Sequence, residues 1–345
     1  MHTPPPIRTV LITGMVHDDT RNLLASRFDL ICNDRPEPWT RQEISARLRS
    51  ADAMLAFMTD TIDAELLDAA PNLRIVAGAL KGFDNFDVEA CTRCGVWLAI
   101  VPNHLTAPSA ELAVGLAIGL VRKVAAGDRL IRTGHFSGWR PILYGGTLTG
   151  ATIGIAGMGL VGRAIAQRLS GFDATILYTD ATPLTVTEER RLGCTFAPLD
   201  AMVSRSDIVM LALPLTPATH HLIDTSRLAT FKRGACLVNI ARGSLVCERD
   251  VAEALKAGTL GGYAADAFEL EDWAIPDRPR EIDPALLSLR DLTLFTPHLG
   301  SAVADVRRAI ELEAALNIIE LADGRTPRGA INRPATREFA MAEPC

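Results

Sequence analysis

Three side chains stand where short apolar runs end in the second half of the chain. Arg242 follows Leu237-Val-Asn-Ile-Ala241, Glu271 follows Ala264-Ala-Asp-Ala-Phe-Glu-Leu270, and His298 follows Leu294-Phe-Thr-Pro297. A guanidinium, a carboxylate and an imidazole have complementary work to do. The guanidinium fixes an anion through two parallel N–H bonds. An imidazole exchanges a proton with a reacting oxygen near neutral pH. A carboxylate on its other ring nitrogen fixes the tautomer and favours the imidazolium. Taken singly, each residue reads equally well as a helix cap, a surface charge or a turn residue. Ligands of open α/β sheets bind beyond the carboxyl ends of the strands, so all three at such ends point to catalysis.

The elements that must position them start from Ile153-Gly-Ile-Ala, a short strand running into Gly157-Met158-Gly159-Leu160-Val161-Gly162. The spacing predicts a strand, a glycine turn and a helix from about Leu160. One glycine permits the tight turn, one lets the backbone approach a pyrophosphate, and one lets helix pack close on strand. The uncapped helix N-terminus supplies N–H groups and a positive dipole end to that pyrophosphate. A second apolar strand, Ala174 to Thr179, ends in Asp180, at the spacing where a carboxylate accepts hydrogen bonds from ribose hydroxyls. Asp180 should repel a 2′-phosphate, so NAD is the expected cofactor. Hydride transfer at a nicotinamide requires a substrate held close with its negative charge fixed, which suits Arg242 and His298.

A chain of 345 residues with 48% hydrophobic and 22% charged residues is long enough for two domains with separate cores. A net charge of −6 argues against a nucleic-acid surface. Seven scattered cysteines suggest a reducing compartment, and Cys91-Thr-Arg-Cys94 lacks the second pair a zinc site needs, so no metal is expected. No basic segment followed by an apolar core opens the chain, and the longest apolar run, near Leu112 to Val121, is too short for a bilayer. A cytoplasmic enzyme with no membrane or nucleic-acid partner is the expectation.

Short apolar runs at Val10, Ala53, Leu73 and Val96 alternate with helical stretches, and Thr40 with Glu43 reads as a capping box. Further runs at Ile208, Ala235, Gly262 and Leu292 come after the glycine motif. The fold expected is α/β: two doubly wound parallel-sheet, Rossmann-like domains with the active site in the cleft between them. The substrate-binding domain is read as discontinuous, residues 1–103 plus 303–333; residues 104–302 form the NAD-binding domain, and 334–345 a tail. One long, nearly all-apolar helix is expected from Ser109 to Ile131, and an amphipathic one from Ala302 to Leu321.

Gly157-Met-Gly-Leu-Val-Gly162, Asn239-Ile-Ala-Arg-Gly243, Asp266-Ala-Phe-Glu-Leu-Glu271 and Thr296-Pro-His-Leu-Gly300 together resemble the D-2-hydroxyacid dehydrogenase family, from residue 7 to about 333. The resemblance implies Arg242, Glu271 and His298 as catalytic residues and a homodimer through the 109–131 helix region. It places Pro214, Ala241 and Asp266 beside the cofactor, with the glycine turn and Asp180. Where many members carry a glycine-rich turn, this chain has Ala79-Leu-Lys81-Gly82-Phe-Asp-Asn-Phe-Asp87. That run, with Met58, Trp139, Tyr144, Glu271-Asp-Trp273 and Arg307, is similar to the phosphite (phosphonate) dehydrogenases within the family. The similarity implies oxidation of phosphite to phosphate, with Lys81, Gly82 and Arg242 on a small anion and Arg307 at the site's edge. Met58 would line the site, Trp139 and Tyr144 would close it, and His298 would deprotonate the attacking water. Asp180-Ala181 departs from the Glu-Ala of those enzymes. The alternatives are reduction of a 2-keto acid such as glyoxylate or hydroxypyruvate, and an NAD(H)-sensing binding protein on the same fold.

Overall fold

The computed structural model describes residues 6–334. They divide into two compact units, residues 6–105 with 303–334, and Thr106–Ala302. Among the described residues, no helix is long and apolar enough to cross a membrane.

The first unit is built on a five-stranded parallel sheet. Its strands are β1 (Thr9–Ile12), β2 (Asp29–Cys32), β3 (Ala53–Ala56), β4 (Ile75–Gly78) and β5 (Trp97–Ala99), in the spatial order β2-β1-β3-β4-β5. β3 and β4 are buried along their whole length, which is why they read as unbroken apolar runs. β2 is an edge strand with no fully buried residue, and its mixed Asp-Leu-Ile-Cys sequence gives no comparable signal. Thr40 and Glu43 form the expected capping box at the start of the helix Arg41–Leu48. The helix Ala304–Ala322 belongs to this unit. It is less amphipathic than expected: besides its apolar residues it buries Glu311, Asn317 and Glu320, each engaged by a partner on the same unit.

The chain beyond Gly324 reads as a loose arm, yet the structure pins it. Ile100 N–H donates to Gly329 O and Ile331 N–H to Leu98 O, both at 2.9 Å, and Asn332 Oδ1 accepts from Leu98 N–H at 2.8 Å. Gly329 is required there, because a Cβ would collide with the Ile100 carbonyl. The tail expected at 334–345 lies, from residue 335 on, outside the described residues.

The second unit carries a seven-stranded parallel sheet: β6 (Thr152–Ala156), β7 (Thr175–Thr179), β8 (Cys194–Phe196), β9 (Ile208–Leu211), β10 (Ala235–Asn239), β11 (Leu260–Ala265) and β12 (Thr293–Phe295). The spatial order is β12-β11-β10-β9-β6-β7-β8. The chain runs outward from β6 to β8, then crosses to β9 on the other side of β6. That reversal makes the β6/β9 crevice the switch point where ligands bind.

The long helix expected from Ser109 to Ile131 is two helices, Thr106–Val121 and Val124–Arg132. Lys123 breaks it with a left-handed φ of 56°. The Val121 carbonyl that a continuing helix would need accepts instead from Gly146 N–H at 3.1 Å. The first helix buries Ala110, Ala113, Leu116, Ala117 and Leu120 in one core with Ile153, Ile155 and Ile165. A helix sunk this deep needs apolar residues on more than one face, as its sequence shows.

Candidate functional site

At the β6 end, the glycine turn has the shape a dinucleotide needs. Gly157 adopts a φ of +96°, and a Cβ there would sit 2.5 Å from the Ala212 carbonyl. A Cβ on Gly162 would strike the Gly157 carbonyl, so the helix Leu160–Leu169 packs against the turn only because no side chain intervenes. A Cβ on Gly159 would meet nothing within 4 Å. Gly159 is the helix N-cap and no side chain caps it, so the first N–H groups are left for a pyrophosphate. The residues present therefore fit a bound dinucleotide, with Met158, Leu160 and Val161 flanking the glycines.

Asp180 leaves the end of β7, and its Oδ2 accepts from Met158 N–H at 2.6 Å while Oδ1 accepts from Thr182 N–H at 3.3 Å. One carboxylate both braces the glycine turn and supplies negative charge where an adenosine ribose belongs. Asp180→Ala is accordingly expected to raise the NADP/NAD ratio of kcat/KM by about tenfold while lowering the NAD value itself. Initial rates with both cofactors test this, and an unaltered ratio would assign cofactor choice to another residue.

β10, β11 and β12 are adjacent, and their carboxyl ends carry the three candidate reacting residues. His298 takes a left-handed φ of 55°, and its Nδ1 lies 2.7 Å from Glu271 Oε2. With Nδ1–H donating to the carboxylate, Nε2 remains to exchange a proton with a substrate oxygen. Glu271 is steadied in turn, its Oε1 accepting from Phe268 N–H at 3.0 Å. Asp266, expected at the cofactor, is buried and braces the histidine turn. It accepts from Thr296 Oγ1 and Leu299 N–H at 2.6 Å each and from Gly300 N–H at 2.8 Å.

Arg242 is extended, with a φ of −139°, and its carbonyl accepts from Asn239 Nδ2 at 2.8 Å. Its Nη1 donates to the Ala241 carbonyl at 2.9 Å. The short 3-10 turn that comes next, Gly243–Leu245, packs backbone to backbone on the turn Glu269–Glu271. A Cβ on Gly243 would fall inside the van der Waals radii of Phe268 C and Glu269 N. Backbone cannot swing aside as a side-chain tip can, so Gly243→Ala should cost about 3 kcal/mol or more. A urea unfolding curve measures it, and an unchanged midpoint would show that the two turns do not touch.

The remaining candidates divide between the units. On the first, Lys81 and Gly82 follow β4 and Met58 follows β3, with Met58 packed against the core. Burial holds the Lys81 ammonium below the usual lysine range. Arg307 Nη1 donates to the Ala79 carbonyl at 3.4 Å, so the structure brings Arg307 to the strand end that leads into Lys81. Burial likewise lowers the Arg307 guanidinium. On the second unit, Trp139 and Tyr144 are 84% and 77% exposed, on the segment leading from the second helix towards β6. Pro214 lies beyond β9, where its carbonyl accepts from Thr219 Oγ1 at 2.8 Å.

Sequence reasoning missed two polar groups, each with a buried carboxylate that lies close in the chain to a candidate residue. Asp60, beside Met58, is buried and accepts from Thr13 Oγ1 at 2.5 Å and Phe57 N–H at 2.7 Å; burial pushes its carboxyl up to about 6. The other is a histidine–carboxylate pair, His221 with Glu269. Neither has a sequence signal, since each depends on residues distant in the chain.

Comparison with known proteins matches residues 114–300 to the NAD binding domain of the D-isomer specific 2-hydroxyacid dehydrogenases. A glyoxylate reductase of Thermofilum pendens is 36% identical over 94% of this chain and 94% of its own. One from Thermococcus onnurineus is 35% identical over 94% of this chain and 96% of its own. The crystal structure of the TT0316 protein from Thermus thermophilus superposes with a TM-score of 0.85 at 31% identity, covering 94% of this chain and all of the other.

These relatives correct the expectation of phosphite oxidation. The glyoxylate reductases match nearly the whole chain, and they support the 2-keto acid reading instead. The physical reason is that lysine and arginine side chains, such as the candidates Lys81 and Arg242, pair with small oxyanions as a class. Their charges alone do not separate a phosphorus oxyanion from a carboxylate.

Proposed function

This chain belongs to the D-isomer specific 2-hydroxyacid dehydrogenase family, and from that premise we propose that it reduces a short 2-keto acid, such as glyoxylate or hydroxypyruvate. It is an NAD-dependent oxidoreductase with two parallel-sheet α/β domains. The observation that carries the substrate reading is the His298–Glu271 pair one strand away from Arg242, beside a glycine turn shaped for a dinucleotide.

A dinucleotide, when bound, would supply the hydride. The turn Gly157–Gly162 would hold its pyrophosphate and Asp180 its ribose, and Pro214, Ala241 and Asp266 are the further candidates to hold it. Arg242 grips the substrate carboxylate, and the guanidinium fork sets its orientation. His298 donates a proton from Nε2 to the carbonyl oxygen as negative charge grows there. Glu271 holds the imidazole through Nδ1 in the required tautomer. On the first unit, Lys81 offers a further cation for a small anion, Arg307 braces the strand end before it, and Met58 is the candidate lining residue.

The exposed apolar row Ile131, Phe136, Trp139, Ile142, Leu143 and Tyr144 suits burial against a second copy. We propose a homodimer through this arm and the helices before it, to be checked as a mass of twice 37.1 kDa by light scattering.

The test of the reaction monitors NADH absorbance with glyoxylate, hydroxypyruvate and pyruvate, and in the reverse direction NAD with glycolate, D-glycerate, D-lactate and phosphite. Turnover of a keto acid with NADH supports the reading. NADH formation from phosphite without keto-acid reduction would overturn it, as would tight NADH binding with no turnover at all.

A further inference from the structure

A second histidine–carboxylate pair lies at the same end of the sheet as the first. His221, in the segment after β9, has a left-handed φ of 47°, as His298 has 55°. Its Nε2 is 2.5 Å from Glu269 Oε1, and its backbone N–H donates to the Ser244 carbonyl at 2.7 Å. Ser244 lies in the turn directly after Arg242, and Glu269 opens the turn that ends at Glu271. One residue thus ties both turns, through its backbone to one and its side chain to the other. Ser244 N–H also donates to Asp272 Oδ2 at 2.6 Å, which binds the turns a second time.

The surroundings of Glu269 are acidic. Its own N–H donates to Glu248 Oε1 at 2.8 Å, and Glu248 Oε2 accepts from Asp283 N–H at 3.1 Å. Burial, with Asp272, Asp250 and Asp283 nearby, pushes the Glu269 carboxyl up to about 7. Burial also raises the Glu248 carboxyl. The basic groups facing this cluster are His221, His220 stacked on it with ring centroids 4.0 Å apart, and Arg278, which Asp272 attracts. A buried carboxylate is retained cheaply only where a donor meets it, and His221 is the side chain that meets Glu269.

We propose that His221 and Glu269 are positioning residues: a clamp that holds the Arg242 turn and the Glu271 turn in register, and so fixes the guanidinium relative to the catalytic imidazole. The inference rests on the keto-acid reading of Arg242, Glu271 and His298. Neither clamp residue touches the reacting atoms. The clamp acts through Glu271, whose Oε2 holds His298 Nδ1. Misplacing reacting groups by about 1 Å costs up to about 100-fold in rate, so a partial release should cost about tenfold.

The test compares wild type with Glu269→Ala, Glu269→Gln, His221→Ala and the double alanine variant, by keto-acid kinetics and by NMR titration of the His298 imidazole. Each single alanine variant should lower kcat about tenfold while KM for NADH stays within about twofold. The double variant should be no worse than either single one, because both remove the same contact. Glu269→Gln should recover most of the loss, since an amide still pairs with Nε2. The His298 titration should move in the alanine variants and return in Glu269→Gln. Losses that add in the double variant, or a KM for NADH that rises as kcat falls, would overturn the clamp, and so would an unmoved His298 titration. A wild-type enzyme that reduces no keto acid overturns the substrate reading alone, and the His298 titration then decides the clamp.

Discussion

Replacing His298 by alanine is expected to lower kcat for keto-acid reduction by about 10²–10⁴-fold, the range a positioned acid or base supplies. Binding of NADH should change little, because the imidazole is held through Nδ1 by Glu271 at 2.7 Å and the glycine turn lies on another strand. Alanine alone leaves a second explanation open. Position 298 has a φ of 55°, a region that His and Asn occupy several-fold more readily than Ala, so His298→Ala also strains the turn that Asp266 braces. Asparagine tolerates that conformation but cannot carry the proton. His298→Asn should therefore match His298→Ala in kcat and exceed it in thermal stability. Stopped-flow NADH absorbance and a melting curve measure the two effects. Most of kcat surviving in His298→Asn would end the role of His298 as the acid.

The strand ends that carry the candidate residues were more legible than the contacts that hold them in place. Arg242 and Glu271 could be placed past strand ends because β10 and β11 are mostly buried and read as apolar runs, and His298 because β12, though an edge, is still largely apolar. The same logic exposed the glycine turn, where steric need selects the residue at Gly157 and Gly162. Two of the four edge strands escaped it. β2 and β8 are short and partly exposed, with burial too uneven to leave a pattern. The break at Lys123 escaped as well, since nothing local forbids a helix there and the Gly146 N–H that takes the Val121 carbonyl lies far along the chain. His221 and Glu269 are 48 residues apart, so their contact exists only once the fold does. Substrate identity was least legible of all. The run around Lys81 resembles one branch of the family, whereas relatives matching 94% of the chain carry another activity in their names. A cation fixes the class of anion and leaves its central atom undetermined.

Removing the Arg242 side chain should have the other large effect, and it should fall on recognition as much as on rate. Arg242→Ala is expected to lower kcat/KM for glyoxylate by about 10³-fold, through loss of a charge-assisted fork to the carboxylate. The fold should survive. The backbone at 242 is extended, which any residue adopts, and its carbonyl stays anchored by Asn239 Nδ2 at 2.8 Å. Arg242→Lys keeps the charge but presents a single point in place of a planar fork. It should recover KM more than kcat, since holding the anion needs charge while aligning the carbonyl needs geometry. The sharper readout is discrimination against an aldehyde of similar size that lacks a carboxylate. Wild type should prefer glyoxylate strongly, and Arg242→Ala should lose most of that preference while its slow turnover of the aldehyde stays unchanged. If both substrates fall together, Arg242 acts on the fold or the cofactor rather than on the carboxylate. If neither falls, Arg242 does not hold the anion, and its role in recognition is withdrawn.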